Sequence, residues 1–221
     1  TSQGDVRRNA LSDFTNVKSN GKIAMKLPEG VSLIGVRMAT VEDDVMLVTA
    51  QGRAIRFPTT AVRVFKGRDS TGVRGIRLAD GDSVVSMSVI RHFEGDPAER
   101  AAYLKMRRAV AGALDDGAEA DEDEEAVAEG SITQERYARM SAAEDLILTI
   151  TAKGAGKVSS AHDYPVRGRG GMGVTAWTKA MAHGPIVACF PVEMSDQVML
   201  ATSKGQSIRV PVEGISFRSR S

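Results

Sequence analysis

Residues 166–174 read VRGRGGMGV, two arginines spaced by glycines with almost nothing that could pack a core. Such a stretch suits phosphate binding. Arginine presents a planar fork that matches phosphate oxygens. Glycine lets the main chain approach an anion closely and aim its N–H groups at it. Taken alone, the stretch reads equally well as a flexible turn or a disordered RNA-binding tract. Recurrence decides between these. Comparable basic turns stand at Lys18 and Lys22, at Lys66 and Arg68, at Arg167 and Arg169 with Gly170, Gly171 and Gly173, and at Arg218 and Arg220. A second row, Arg7, Arg8, Arg53, Arg56, Lys157, Lys204 and Arg209, falls on strand-patterned segments. These read either as further phosphate contacts or as ordinary exposed strand faces.

Other chemistries find less support. Ser160, His162 and Asp163 are neighbours in sequence, but no nucleophile elbow or oxyanion motif accompanies them. His92, His162 and His183 lie far apart, and the single Cys189 supplies neither a disulfide nor a thiol ligand set for zinc. No GxxxxGK[ST] or GxGxxG stands between a strand and a helix. The expectation is a binding chain with no catalytic residue, no metal and no cofactor of its own. Trp177 and Cys189 sit in strand patterns and read as core.

The elements that must carry the basic turns come from an internal repeat. The pattern Thr-x-x-Gly recurs in T1SQGDVRR, T49AQGRAIRF, T151AKGAGKVS and T202SKGQSIRV. Three of the four follow an apolar run, in DDVMLVTAQG, EDLILTITAKG and SDQVMLATSKG. Each reads as strand, tight glycine turn, strand, a β-hairpin. A short link, a basic turn, a further strand (GKIAMKL, GVRGIRL or GVTAWTK) and an apolar run (VSLIGVRM, DSVVSMSVI or GPIVACFPV) complete the unit. Four short strands per unit of roughly fifty residues predict an all-β, propeller-like array of four-stranded blades.

The Thr markers are 48, 102 and 51 residues apart, and the double interval holds an insertion rather than a hidden unit. The chain therefore divides into blades over 1–91, a partly helical acidic insertion over 92–145, and blades again over 146–221. Asp96-Pro97-Ala98-Glu99 predicts a capped helix start running through Leu114. Ser131 with Gln134 predicts a second cap, with a helix to about Glu144. The DDGAEADEDEEAVAEG between them is expected to be mobile. The insertion reads as a tolerated loop, or as an acidic competitor for the basic turns.

Charge supports a polyanionic partner. A formal net charge of +1 conceals −9 over residues 92–145 and +10 over the rest. Hydrophobic residues at 42% suffice for a core, and no apolar run approaches bilayer length, so a soluble protein of a reducing cytoplasm is expected, without a membrane partner.

The runs TSQGDVRRNALSDF and SNGKIAMKL, DDVMLVTAQGRAIRF with GVRGIRLADGDSVVSMSV, and SDQVMLATSKGQSIRVPV closely resemble the C-terminal domain of the bacterial DNA gyrase A protein. The resemblance covers all but the insertion. It implies a β-pinwheel, a propeller relative whose neighbouring blades exchange strands and whose basic rim wraps double-stranded DNA to direct negative supercoiling. It implies a nucleoid-associated parent, a type IIA topoisomerase with a dimer of gyrase A proteins and two gyrase B proteins, with the catalytic tyrosine, ATP and Mg²⁺ sites outside this stretch. By the same resemblance the chain spans the third to fifth blades and the start of the sixth. The family's seven-residue box, Q-[RK]-R-G-G-[RK]-G, lies over residues 167–173. Arg169, Gly170, Gly171 and Gly173 match it; Arg167, Gly168 and Met172 depart from it. The turn is thus a later-blade relative of the box. The corresponding protein of topoisomerase IV, whose domain guides substrate choice, and a propeller-type protein-interaction scaffold remain as alternatives.

Overall fold

The computed structural model describes residues 1–112, 130–178 and 180–221. The expected mobile acidic stretch lies largely outside the described residues.

The Thr-x-x-Gly repeat builds its turns by one mechanism. The glycine N–H donates to the threonine carbonyl three residues back, from Gly4 to Thr1, Gly52 to Thr49, Gly154 to Thr151 and Gly205 to Thr202, at 2.9–3.1 Å. Each of these glycines has φ between +80° and +93°, which an L-residue rarely adopts. The Thr1, Thr49 and Thr202 hydroxyls then accept the N–H four residues on, at 3.1–3.2 Å.

The strands follow from these turns. They are β1 (Asp5–Val6), β2 (Asp43–Thr49), β3 (Arg53–Pro58), β4 (Val73–Arg74), β5 (Val84–Arg91), β6 (Leu146–Thr151), β7 (Gly156–Ser160), β8 (Val174–Thr175), β9 (Ile186–Val192), β10 (Gln197–Ala201) and β11 (Ser207–Pro211). Three antiparallel hairpins result, β2–β3, β6–β7 and β10–β11. In two units an outer strand pairs with the first hairpin strand, β5 on β2 and β9 on β6, and both pairs slip register next to the marker threonine.

Strand exchange joins the units. Val73 and Arg74 of β4 pair with Val6 and Asp5 of β1, in the preceding unit. Val174 and Thr175 of β8 pair likewise with Ala54 and Arg53 of β3. Ahead of these strands run parallel bridges, Arg8 to Val64, Arg56 to Val166 and Val158 to Phe217, each again between successive units. The complete blade therefore has the order β5-β2-β3-β8, with its fourth strand borrowed. Gly72 and Gly173 sit at the crossing, with φ of +95° and +71°. A Cβ there would lie 2.3 Å from the Val6 carbonyl oxygen and 2.1 Å from that of Ala54.

The apolar faces pack between units. One cluster (Leu47, Ile55, Phe57, Ile76, Val84 with Val6) joins the first two, and another (Met46, Val48, Ile147, Tyr164, Cys189) joins the second and third. A third, around Leu148, Val158 and Val212, joins the last two. Cys189 belongs to the core, as expected, and Trp177 packs against it half-buried.

Two expected strands do not form. GKIAMKL and VSLIGVRM carry no strand, and Ile23, Leu33, Val36 and Met38 are exposed. These short segments become strands only on a hairpin partner. β4 and β8 find theirs in the preceding unit, β5 and β9 in the first strand of their own hairpin. Among the described residues, no strand pairs with residues 21–38.

The insertion folds onto the blades. Helix α1 (Pro97–Val110) starts as expected: the Asp96 carboxylate accepts from Glu99 N–H at 2.8 Å, and the Glu99 carboxylate accepts from Asp96 N–H at 3.3 Å. It ends at Val110 rather than Leu114, with Gly112 in the left-handed region at φ +70°. Helix α2 (Gln134–Ala142) is capped by Thr133, not Ser131, its hydroxyl accepting from Arg136 N–H at 3.1 Å. Ile132, just ahead of that cap, packs on the cluster of Tyr103, Leu104 and Met140 and so sets the later start. His162 locks the pair to the third unit: its Nε2 lies 2.8 Å from the Met140 carbonyl, and its ring sits between Phe93 and Tyr103. The described helices are docked, not a solvated loop.

Candidate nucleic-acid interface

The basic residues picked out by the sequence divide into two groups, according to what their charge touches. In the first group, one contact repeats three times. Arg68 donates from Nε to the Ile23 carbonyl (3.0 Å) and from Nη1 to that of Asp13 (3.4 Å). Arg169 donates from Nε to the Ala61 carbonyl (2.8 Å) and from Nη1 to that of Arg74 (3.0 Å). Arg220 donates from Nε to the Asp163 carbonyl and from Nη1 to that of Thr175, both at 2.6 Å. Asp13, Ala61 and Asp163 are equivalent, each twelve residues past its marker threonine; Ile23, Arg74 and Thr175 each lie two past the crossing glycine of the preceding unit. One arginine in each of the last three basic turns thus clamps its own unit to the one before.

A second set of clamps runs the other way. Arg7 donates to the Gly67 carbonyl and to the carbonyl and hydroxyl of Ser70. Lys157, its equivalent two units on, donates to the carbonyls of Ser219 (2.9 Å) and Arg220 (2.6 Å), with Trp177 against its ammonium. Arg53 reaches the Met172 and Gly173 carbonyls and the Thr175 hydroxyl. Arg56 pairs with buried Asp44 at 2.7 Å and donates to the Ala161 and Arg91 carbonyls, while His92 Nδ1 lies 2.8 Å from the other Asp44 oxygen.

Burial corrects three expected contacts. Arg56 is 3% exposed, Lys157 3% and Arg220 1%. A group so enclosed cannot meet a phosphate without unfolding its surroundings. Its desolvated charge is held by partners inside the protein, and losing them would be strongly destabilising. These residues fix the blades together. Arg8 is half-buried, and its Nε is enclosed without a partner among the described residues.

The second group stays on the surface. Lys18, Lys66, Arg167, Lys204 and Arg209 are exposed, and among the described residues no side-chain hydrogen bond or ion pair holds them. Arg218 and Lys22 are also exposed, the latter donating to the Asp13 carbonyl at 2.7 Å. Lys66 and Arg167 are equivalent, each seven residues before the valine that enters the exchanged strand. Arg167 and Arg218 each directly follow a bridging residue, Val166 or Phe217. Arg74 and Arg77, missed in the sequence reading, are exposed beside the 166–174 turn, where the Gly170 N–H donates to the Gly75 carbonyl and the Arg77 N–H to that of Gly171. Their alternation in GVRGIRL was the available signal.

The glycines of that turn have separate tasks. Gly173 is required by the crossing, and Gly170, with φ +84°, by its turn. Gly171 has no positive φ and open surroundings, its hypothetical Cβ meeting nothing nearer than 4.0 Å.

The residues that suggested hydrolytic chemistry have other uses. The Ser160 hydroxyl accepts from the His162 N–H, capping a short 3-10 turn, and Asp163 accepts from the Arg220 N–H at 2.9 Å. Burial pushes the Tyr103 and Tyr164 hydroxyls well above their ordinary range and lowers His162, which stays neutral near pH 7. Among the described residues there is no cluster of metal-ligating side chains, and no helix is long and apolar enough to cross a membrane.

Blades of antiparallel strands that borrow their fourth strand from the next unit, with basic turns at each crossing, define a β-pinwheel, a relative of the β-propeller. Known proteins agree. The family model described as "DNA gyrase C-terminal domain, beta-propeller" matches residues 1–40, 43–91, 145–176 and 196–221. The whole chain is 48% identical to the DNA gyrase A protein of Granulibacter bethesdensis, 39% to that of Rickettsia bellii and 32% to that of Escherichia coli. It spans 25%, 24% and 19% of those proteins' lengths. Among solved structures, the C-terminal domain of DNA topoisomerase IV overlays 99% of the chain on 53% of its own, with TM-score 0.69 and 18% identity. A DNA gyrase A C-terminal domain overlays 99% on 56%, with TM-score 0.67 and 18% identity. The chain belongs to the DNA gyrase A C-terminal domain family.

Proposed function

We propose that this chain is the part of a gyrase A protein that holds and wraps double-stranded DNA on its rim, so that strand passage by the parent ATP-dependent topoisomerase yields negative supercoils. The chain itself performs no catalysis in this reading and needs no cofactor; it acts with a second gyrase A protein and two gyrase B proteins. One observation carries the proposal: exposed, uncommitted cations recur at equivalent turn positions of successive blades, as at Lys66 and Arg167. Bending a stiff duplex over roughly 20–30 base pairs costs on the order of a few kcal/mol. A row of phosphate contacts on a curved surface offsets that cost, each releasing counterions and none reading sequence.

The clamps give the row its geometry. Arg68, Arg169 and Arg220 hold each of their turns to the preceding blade, so Lys66, Arg167 and Arg218 stand at a set pitch, with Lys18 on the turn before them. Arg74, Arg77, Lys22, Lys204 and Arg209 extend the positive surface. The gyrase reading is preferred to topoisomerase IV because the three curated relatives compared, 32–48% identical, are all gyrase A proteins, whereas both solved C-terminal domains stand at 18%.

The test is DNA affinity against salt in the full-length protein. Wild type should show a steep linear fall of log K with log[salt], and Lys66→Ala or Arg167→Ala should each lessen the slope by about 1 for any sequence. A flat dependence would sink the proposal and favour a protein-interaction scaffold.

A further inference from the structure

The charge of the insertion is not evenly spread. Nine of its fifteen carboxylates fall within residues 113–129, which hold no Lys or Arg. The flanking parts carry six acidic and six basic residues. α1 alone has Arg100, Lys105, Arg107 and Arg108 against Glu99.

The position of α1 matters more than its composition. Toward its N-terminal end, Arg100 reaches the His162 carbonyl, in the unit whose turn carries Arg167. Toward its C-terminal end, the Arg107 guanidinium sits 4.6 Å from the ring centroid of Phe217, the residue before Arg218. The helix therefore lies between two successive basic turns. Between α1 and the Arg167 turn opens a cleft of about 1200 Å³, lined by Arg100, Lys105 and Arg108 on the helix side and by Arg167 opposite. The carboxylates around it are largely committed elsewhere. Asp96 caps α1, Glu99 is ion-paired to Arg136 at 2.8 Å and so held below the usual carboxylate range, and Asp163 is bonded to Arg220. The walls are also firm, because the aromatic cluster around His162, Phe93 and Tyr103 ties the helices to the blade.

We propose that this cleft seats the phosphate backbone of duplex DNA, so that the inserted helix is a section of the DNA track between the Arg167 and Arg218 turns. The inference rests on the DNA-holding function proposed above. Docked cations next to a rim cation extend a phosphate row without any sequence code.

The test is equilibrium binding of a mixed-sequence duplex of about 40 base pairs to the full-length protein over a salt series. Lys105→Ala/Arg108→Ala should lower the magnitude of the log K–log[salt] slope by about 2 and weaken binding at least about tenfold near 0.1 M salt. Arg139→Ala, exposed on α2 and outside the cleft, supplies the control for net charge and should leave the slope unchanged. Lys105→Arg/Arg108→Lys should restore wild-type behaviour, which a folding defect in the alanine variant would not explain. A wild-type slope in Lys105→Ala/Arg108→Ala, beside a reduced slope in Arg167→Ala, overturns the role of α1 and leaves the rim reading standing. Unchanged slopes in both overturn both.

Discussion

Replacing Gly173 by alanine should unseat the strand exchange between successive blades. Gly173 has φ +71°, and a Cβ built there stands 2.1 Å from the Ala54 carbonyl oxygen and 2.7 Å from its carbon. The left-handed backbone alone costs an L-residue about 1–2 kcal/mol. To clear the carbonyl, the chain must withdraw by at least 0.9 Å, from 2.1 to 3.0 Å. That movement breaks the two-residue pairing of β8 with β3, at about 1 kcal/mol per lost backbone bond, and loosens Val174 and Ala176 from the core. The sum is about 4 kcal/mol, or roughly 8–16 °C in Tm for a domain of this size. Gly21→Ala supplies the control: it occupies the equivalent turn with φ +77°, but nothing lies within 4 Å of its Cβ. That variant should lose about 1–2 kcal/mol, roughly 2–8 °C. Thermal unfolding of both variants by circular dichroism decides the matter. Equal shifts would refute the argument that the crossing glycine is fixed by blade-to-blade contact.

Other outcomes follow from burial. His162 is buried and its pKa lies below the ordinary value near 6.5, chiefly through desolvation. Unfolding lets it take up a proton, so its contribution is fully present above about pH 6.5 and is lost as pH falls toward the lower folded value. Chemical denaturation should therefore show the wild type losing stability below pH 6.5 more steeply than His162→Gln, and parallel curves would refute it. Burial pushes the Cys189 thiol up to about 11, so a disulfide reagent at pH 8 should label it only at the rate of unfolding; immediate labelling would contradict the core position. Arg220→Ala and Lys157→Ala should lower Tm by several degrees, whereas Arg167→Ala should not change it, a separation that differential scanning calorimetry can read.

Much of this protein was legible from its sequence because the repeat is written in local chemistry. Thr-x-x-Gly specifies a turn through the threonine carbonyl and a positive-φ glycine, within five residues and without tertiary help. Apolar runs beside it specify hairpin strands, and Asp-Pro-Ala-Glu specifies a helix start. The pattern also placed basic turns at equivalent points, and the likeness to the gyrase domain followed from it.

What sequence could not separate was a cation that clamps from a cation that is free. Arg167 and Arg169 differ by two positions in one loop, yet Arg169 bonds the carbonyls of Ala61 and Arg74 while Arg167 holds no partner among the described residues. Arg56, Lys157 and Arg220 looked like surface charges and proved to be enclosed. Their partners lie 12 to 108 residues away; Asp44 and Arg91 reach Arg56 within its own blade, and the others come within reach only when blades stack. The glycine turns, hairpins and helix starts are decided by hydrogen bonds between near neighbours, which the order of residues determines, whereas the exchanged strands β4 and β8 form only on the preceding unit. The fate of a charge is decided by the dielectric and the carbonyls around it, and only the assembled blades supply those.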